Sequence, residues 1–485
     1  MLMTGKEYLE SIRDGRRVFI GGERVEDVTA HPAFRNAARS LAMIYDRKRA
    51  PENRDVMTFE ADGGTHSTYF LLPRTRDDLL RRFETHRRIA SWTYGLMGRA
   101  QDNFPAYVCG LAMDPALFDR IRPGFGANIR KYFRHMRDDD VFCSHTVTNP
   151  QGWRRTAPGE APRTPPTLRL VGEDDKGVIV NGLKMLGTGT VFCHETWCGN
   201  LQPLFPGQEA ESITCVIPLN APGVSIWTRK PYELHAVSEF DNPLSSRFDE
   251  TDAAVLCENV HVPWDNVFCI NNVEMSREIY VRTPGHALAN HQAAVRFLEK
   301  LNLILGIAGK LADMNNLRNV PAVTFTLGQL AAMQATLEGL IMGQINSGEE
   351  LTPGFHTPNS RYVYGALHWC TNSHAEICDA VRELMGAGVF QMPADASVLA
   401  DAELRDKFET YWSAPGYSAT ARMKLFKLAW DLLGSDFAGR HMQYEKFYAG
   451  PAFAMNNYSY LAGRWSDWGG RVDELMAGYE APGPR

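Results

Sequence analysis

Apolar residues recur at helical spacing in three early stretches: DDLLRRFETHRRIASWTYGLMG from Asp77, PALFDRIRP from Pro115 and FGANIRKYFRHMRDDD from Phe125. Positions three and four apart share a helix face, so each stretch predicts an amphipathic helix bounded by Pro or Gly. Beyond Asp140 the period shortens. TLRLV, EDDKG and VIVNGLKML (167–186) read as strand, tight turn, strand, and ITCVIPLNAPGVSIWT (213–228) repeats the pattern around Asn220-Ala221-Pro222-Gly223. AAVLCENVHVPWDNVF, from Ala253, closes this β-rich region near residue 270. From about Thr283 to Gly439 the helical period returns in four long segments: HALANHQAAVRFLEKLNLILGIAGKLADM, FTLGQLAAMQATLEGLIMGQI, HWCTNSHAEICDAVRELM and ATARMKLFKLAWDLLG. Long amphipathic segments joined by short breaks predict an antiparallel bundle. The chain therefore reads as mainly α with a central β domain: a helical domain over 1–140, a β domain over 141–275, and a helical bundle with its tail over 276–485. There is no internal repeat and no low-complexity segment.

Composition narrows the partners. With 485 residues, 44% hydrophobic and 22% charged, the chain is large enough for two to four domains. A net charge of −6 offers no broad basic face for nucleic acid, which leaves a small molecule. Nine scattered cysteines behind a polar N-terminus, MLMTGKEYLESIRDGRR, predict a reducing, cytoplasmic setting. The longest apolar run, LNLILGIAG, is about half of what a bilayer span needs, so no membrane is expected.

Motifs exclude more than they identify. No GxGxxG follows a predicted strand and no GxxxxGK[ST] or GxSxG occurs; GTGT at 187–190 and GAGV at 386–389 lack the spacing. Any flavin is held without a Rossmann domain. CHETWC at 193–198 has no second ligand pair at zinc-like spacing, so its cysteines read as buried thiols and no metal is expected; Cys370 and Cys378, with His374 on one helix, read the same way. What remains is Arg99 after Met97-Gly98, His145 in CSHTVTNPQ, and His291 in ANHQ. A single polar residue of this kind is more often structural than catalytic.

Several stretches taken together change that balance. HPAFRNAARSLAMIYD (31–46), YGLMGR (94–99), HTVTNPQ (145–151), GLKMLGT (182–188), PLSSRFDE (243–250), VPWDNV (262–267) and GSDFAGRHMQYE (434–445) resemble, in order, the signature segments of the 4-hydroxyphenylacetate 3-monooxygenase large component. The resemblance implies an acyl-CoA dehydrogenase-like fold: N-terminal helical domain, middle β-barrel, C-terminal four-helix bundle through which homotetramers assemble. It implies a two-component enzyme in which a separate NAD(P)H-dependent flavin reductase supplies FADH2. This chain would then use FADH2 and O2, via a C4a-hydroperoxyflavin, to hydroxylate a phenol ortho to its hydroxyl. By position, Arg99 and His145 match the family's substrate-binding arginine and histidine. His145, Thr146, Val147, Gln151, Gly152, Trp153, Arg154 and Thr188 match flavin-contacting positions, as do Ser435, Phe437, Gly439 and Arg440 in the C-terminal segment.

The chemistry also asks for such residues. A phenol titrates near ~10, so at pH 7 about one molecule in a thousand is the electron-rich phenolate, a deficit of roughly 4 kcal/mol. A guanidinium lowers such a pKa by about 1–3 units. A histidine titrating near the working pH accepts the proton, worth roughly 10²–10⁴ in rate. Arg99 is thus expected to stabilise the oxyanion and His145 to act as base. Water must be shut out, and the proline-rich stretch 157–166 and the loop LFPGQEAES (204–212) are candidate lids, with plain surface loops the competing reading.

Two departures bear on substrate and mechanism. After the arginine the family pattern places Asp and then a substrate-contacting Tyr; here the run is Gly98-Arg99-Ala100-Gln101-Asp102-Asn103, so Asn103 stands where the tyrosine would. An amide both donates and accepts, which implies a larger or more polar phenol than 4-hydroxyphenylacetate, free or carrier-tethered. His291 resembles a histidine implicated in catalysis in chlorophenol- and nitrophenol-hydroxylating relatives, making it a second candidate base, against the reading of a histidine satisfying a helix end. A 4-hydroxybutyryl-CoA dehydratase-like lyase needs iron–sulfur thiolates, yet two of the positions it would use hold Arg99 and Asn103 and the helix after His291 has no cysteine. An acyl-CoA oxidoreductase lacks a matching catalytic glutamate.

Overall fold

The computed structural model describes residues 2–151 and 166–479. The three early helical stretches form helices Arg76–Trp92, Pro115–Asp119 and Phe125–Asp138, and a further helix, Asn103–Met113, lies outside the expected stretches. The first begins one residue ahead of its expected start because Thr75 and Asp78 form a capping box, the hydroxyl accepting from Asp78 N–H and the carboxylate from Thr75 N–H, an arrangement worth about 1 kcal/mol. The N-terminal region is not wholly helical. Val18–Ile20 and Glu23–Val25 are strands, and Thr58–Ala61 pairs with Gly64–Ser67 in a separate hairpin. These strands are three or four residues long, too short to show a period of two.

The β region makes two sheets. The larger runs Glu23–Val25, Val18–Ile20, Val224–Thr228, Asp252–Pro263, Gly177–Thr188, Arg169–Glu173, so the N-terminal strands complete a sheet built mainly from the middle of the chain. The smaller runs Val267–Cys269, Thr214–Pro218, Glu195–Cys198, Cys143–Thr146. Its last pair is parallel and sets His145 opposite Trp197. Trp197 is buried, stacks on Phe268 at 4.5 Å and donates from its indole N–H to Tyr280 Oη at 2.9 Å. Burying such a ring contributes roughly 2–3 kcal/mol and makes the strand that carries His145 a rigid mount.

Helices Gly285–Met314, Pro321–Asn346, Ser360–Met385 and Ala419–Leu433 are the four expected of the bundle. The observed order of helices, sheets and bundle is that of the acyl-CoA dehydrogenase-like fold. Gly285–Met314 is its central member, with buried residues on every side. The segment that carries Arg99 docks on this helix at two glycines. A Cβ on Gly95, whose φ is +67°, would lie 2.4 Å from Arg296 O, and one on Gly110 would lie 2.0 Å from Gly285 N. Only backbone without a side chain approaches so closely. None of the described helices is long and apolar enough to cross a membrane.

Candidate active site

Arg99 sits in the turn between two N-terminal helices, and its three hydrogen bonds reach Asn103 four residues on and two distant parts of the chain. Its N–H donates to Glu250 Oε2 at 2.9 Å, Nη1 to Asn103 Oδ1 at 3.0 Å and Nη2 to Tyr448 O at 2.9 Å. The guanidinium lies 4.2 Å from the centre of the Tyr448 ring, which the Arg296 guanidinium also approaches, at 4.4 Å. A tyrosine between two cations places electron density where the charges are least solvated. Its hydroxyl donates to Gly98 O at 2.8 Å and accepts from Asn103 Nδ2 at 3.3 Å.

His145 projects from its strand among aromatic rings: Tyr107 at 4.9 Å, Phe104 at 5.3 Å and Tyr280 at 6.0 Å between centres. Its Nε2 and the hydroxyl of Tyr107 are both buried without a hydrogen-bond partner among the described residues. Unpartnered buried polar atoms are rare in folded proteins; His86 with His291 and His441 with Tyr444 are two further ring pairs of this kind, and the His145–Tyr107 pair is the one set beside Phe104 and within the field of Arg99. Burial, with the charges of Arg99 and His286, pushes the imidazole down to about 3. The expectation of a histidine titrating near the working pH is therefore corrected: His145 is a neutral acceptor across the physiological range.

Behind the Arg99 backbone lies a buried charge network. Arg440 holds Asp252 through Nε at 2.9 Å and Nη2 at 2.7 Å and reaches Glu250 at 3.1 Å; Arg229 pairs with Asp252 at 2.9 Å and Asp249 at 2.5 Å. Burial raises the Asp252 carboxyl, but Arg440 and Arg229 outweigh it and hold it well below the usual carboxylate range. Thr188 donates to the same carboxylate at 2.6 Å. Gly189, next along, donates to Glu250 O at 2.8 Å, and its ideal Cβ position lies 3.9 Å from Arg99 O. The end of the long strand is thereby fastened beside Arg99.

The remaining candidates divide. Thr146 is buried and paired with Thr196, Oγ1 to Oγ1 at 2.7 Å; Val147 is half-buried against the core and Gln151 is exposed. Gly152, Trp153 and Arg154 lie outside the described residues, as does most of the stretch 157–166. In the C-terminal segment, Ser435 caps helix Asp436–Phe447 by accepting from Ala438 N–H at 3.1 Å, Phe437 is buried in the core and Arg440 is committed to its carboxylates. Only Gly439 faces open space, with nothing within 4 Å of a Cβ. Loop 204–212 is pinned by Asn200 Nδ2 donating to Glu211 O at 2.8 Å and Asn272 N–H donating to Ser212 Oγ at 2.8 Å.

His291 is not brought together with Arg99 and His145. It lies inside helix Gly285–Met314 rather than at its end, fully buried, with Nδ1 at 2.6 Å from Gln344 Oε1 and its ring toward His86 and Phe83. Burial pushes it down to about 3. The cysteines of CHETWC are buried thiols. His194 accepts from Phe142 N–H through Nδ1 and meets Ser11 Oγ through Nε2. Cys378 lies 3.6 Å from His374 in the bundle core.

Three residues at the site are absent from the sequence reading. Tyr107 and Tyr448 are ordinary aromatic positions in helical stretches, without a local signal. Gln292 had one, its place beside His291 in ANHQ. It accepts from Asn103 Nδ2 at 2.8 Å.

Comparison with known proteins agrees with this geometry. Residues 4–269 match the model of the 4-hydroxyphenylacetate 3-hydroxylase N-terminal region, and 276–477 that of the C-terminal region. The pyoverdin chromophore biosynthetic protein PvcC of Pseudomonas aeruginosa is 32% identical over 93% of this chain and 90% of its own. The 4-hydroxyphenylacetate 3-monooxygenase oxygenase component of Escherichia coli is 30% identical over 98% and 91%. A crystal structure of the oxygenase component HpaB complexed with FAD and 4-hydroxyphenylacetate superimposes with a TM-score of 0.92 at 28% identity, covering 98% of both chains. The two matched regions, the similarity along nearly the whole chain and the shared fold together establish that this protein belongs to the 4-hydroxyphenylacetate 3-hydroxylase family.

Proposed function

We propose that the chain is the oxygenase component of a two-component monooxygenase that hydroxylates a phenol ortho to its hydroxyl, using FADH2 made by a separate NAD(P)H-dependent reductase and O2. The observation that carries this reading is the pair of unpartnered buried atoms, His145 Nε2 and Tyr107 Oη, in an aromatic setting within the field of Arg99. An aromatic enclosure with one acceptor, one hydroxyl and one cation suits a planar ring bearing a single acidic hydroxyl.

Bound reduced flavin supplies, with O2, the electrophilic oxygen atom. Thr146, Val147, Gln151 and Thr188, the segment Gly152, Trp153, Arg154, and the turn of Ser435, Phe437, Gly439 and Arg440 are the residues proposed to hold it. The open face of Gly439 fits such a group. Neutral His145 accepts the phenolic proton at Nε2 while Arg99 faces the oxygen that gains charge. An anion about 4 Å from an imidazolium is worth roughly 4 kcal/mol at an effective dielectric of 20, or about 3 pKa units. Phenolate formation therefore restores most of the basicity that burial removes. His291, held on Gln344, is left out of the proton path.

Asn103 in place of a tyrosine supports a phenol larger or more polar than 4-hydroxyphenylacetate, free or carrier-tethered. The printed role of PvcC in chromophore biosynthesis supports a biosynthetic one. A homotetramer is supported by helix Trp465–Met476, which has no buried residue while exposing Trp465, Trp468, Val472, Leu475 and Met476. Apolar patches of this kind mark association surfaces. Sedimentation should give the mass of four chains, and a monomer at micromolar concentration would end that reading.

The deciding experiment is a panel of phenols incubated with the chain, FAD, NADH and a generic flavin reductase, with catechols scored by mass; no hydroxylated product from any phenol would refute the function. Arg99→Ala should raise the Kd of an accepted phenol roughly 10- to 100-fold, the ~1.5–3 kcal/mol of a charge-assisted hydrogen bond. Arg99→Lys should recover little, because an ammonium does not reproduce the fork held by Asn103 and Tyr448. Unchanged affinity in Arg99→Ala would make the residue purely structural.

A further inference from the structure

We infer that Gln292 is a positioning residue: anchored on the buried Asp102–His86 pair, it sets the orientation of the Asn103 amide and, through it, the guanidinium that receives the phenol. The proposal rests on the function above, and Gln292 acts through Asn103 rather than directly on the phenol.

The chain of hydrogen bonds has a direction. Asp102 Oδ2 accepts from His86 Nδ1 at 2.7 Å and from Gln292 Nε2 at 3.2 Å. Gln292 Oε1 accepts from Asn103 Nδ2 at 2.8 Å, and Asn103 Oδ1 accepts from Arg99 Nη1 at 3.0 Å. A carboxylate accepts only and a guanidinium donates only. With an obligate acceptor at one end and an obligate donor at the other, both intervening amides have one orientation that satisfies every contact. Flipping Gln292 sets its carbonyl against a carboxylate. Flipping Asn103 sets its NH2 against the guanidinium.

Burial makes the choice binding. Asp102 and His86 are each 1% exposed, Gln292 2% and Asn103 4%, so no solvent satisfies a misdirected group. The two glycine contacts at Gly95 and Gly110 hold the Arg99–Asn103 segment against the helix that carries Gln292, which keeps the chain in register. The same locking points the second Asn103 N–H at Tyr448 Oη, at 3.3 Å. Asn103 is therefore a polar group of fixed sense, where a tyrosine could rotate its hydroxyl hydrogen.

Gln292→Glu tests the direction. A protonated glutamic acid donates its O–H to Asp102 and accepts from Asn103, reproducing the native sense; ionised, it sets two carboxylates face to face. The variant's phenol KM should match the wild type within about 3-fold near pH 6 and exceed it about 10-fold or more near pH 8.5, with kcat moving less. The other titratable or charged groups around this chain, Asp102, His86, Arg82, His291, Arg99, Arg296 and Tyr448, are common to both proteins, so the ratio of KM values at each pH isolates residue 292. Gln292→Met, which can neither donate nor accept, should show about a 10-fold higher KM at every pH, and it keeps the test decisive if the Glu variant does not fold. A Glu variant whose KM ratio is flat with pH, or a Met variant with the wild-type KM, overturns the proposal while leaving the hydroxylase reading intact. A wild-type chain that hydroxylates no phenol removes both.

Discussion

In His145→Ala, catechol formation should fall by roughly 10²- to 10⁴-fold, the range contributed by a positioned general base, while reduced FAD still binds and the oxygen consumed returns as hydrogen peroxide. The expectation follows from where the imidazole sits. Its Nε2 is buried with no partner among the described residues, so no hydrogen bond to that atom is lost. What is lost is the acceptor that draws the phenolic proton, and with it the thousandfold gain in phenolate over the solution value at pH 7. His145→Gln separates the two duties. It keeps an acceptor for the phenol O–H but carries no basicity in this range, so affinity should be largely restored and turnover should not. Oxygen consumption, peroxide and catechol measured together check both variants, and full coupling of oxygen to catechol in His145→Ala would exclude the residue from the chemistry. Because the free enzyme holds His145 neutral down to about 3, the pH profile of kcat/KM should show no acid limb from this residue near 6.5.

Acid should unfold the protein well above the pH at which carboxylates titrate. Seven histidines are pushed below the ordinary value, in each case with burial as the largest cause: His86, His145, His194, His286, His291, His374 and His441. Unfolded, each binds a proton near 6.5; folded, each binds one only at lower pH. Between those limits the unfolded chain holds more protons, so stability rises with pH and is lost as pH falls below about 6.5. Glu233 acts in the opposite sense, since burial raises it to about 7 and the folded state keeps its proton where the unfolded one has lost it. Each net proton contributes about 1.4 kcal/mol per pH unit, so a net uptake of only three costs about 4 kcal/mol per unit. Against a total of roughly 5–15 kcal/mol for a folded domain, each pH unit below about 6.5 removes a large share of the stability. Urea midpoints at pH 7.5, 6.5 and 5.5 should fall progressively, and a midpoint constant over that range would show that these imidazoles are protonated in the native state.

Much of this architecture is legible in the order of residues. The four bundle helices and the β-rich middle appear as changes in apolar period, and the glycines at 95 and 110 and the capping pair Thr75 and Asp78 stand in plain view. Arg99, His145 and Asn103 were named from their motifs, and Arg99 and Asn103 do share a hydrogen bond. The N-terminal strands leave no period in the sequence because each is three or four residues long, and Val18–Ile20 finds its second partner about 200 residues away, Val18 opposite Ile226. Ser435, Phe437 and Arg440 match flavin-contacting positions by resemblance, and the fold adds that their side chains form a helix cap, core packing and buried ion pairs. A motif cannot say which duty a polar atom has already accepted. His291 shows the same limit, since its partner Gln344 sits on another helix.

Local order, then, determined the fold class and the kinds of group available for chemistry, because helical and strand periods and turn residues act over a few positions and survive in the bare string. Tertiary structure alone decided which polar atoms are left free. Tyr448 reaches Arg99 across 349 positions and Gln292 reaches Asn103 across 189. The physical reason is that burial removes water as a competing partner: whether a buried nitrogen or hydroxyl is satisfied or waiting depends on every neighbour that packing brings to it, and those neighbours come from all parts of the chain.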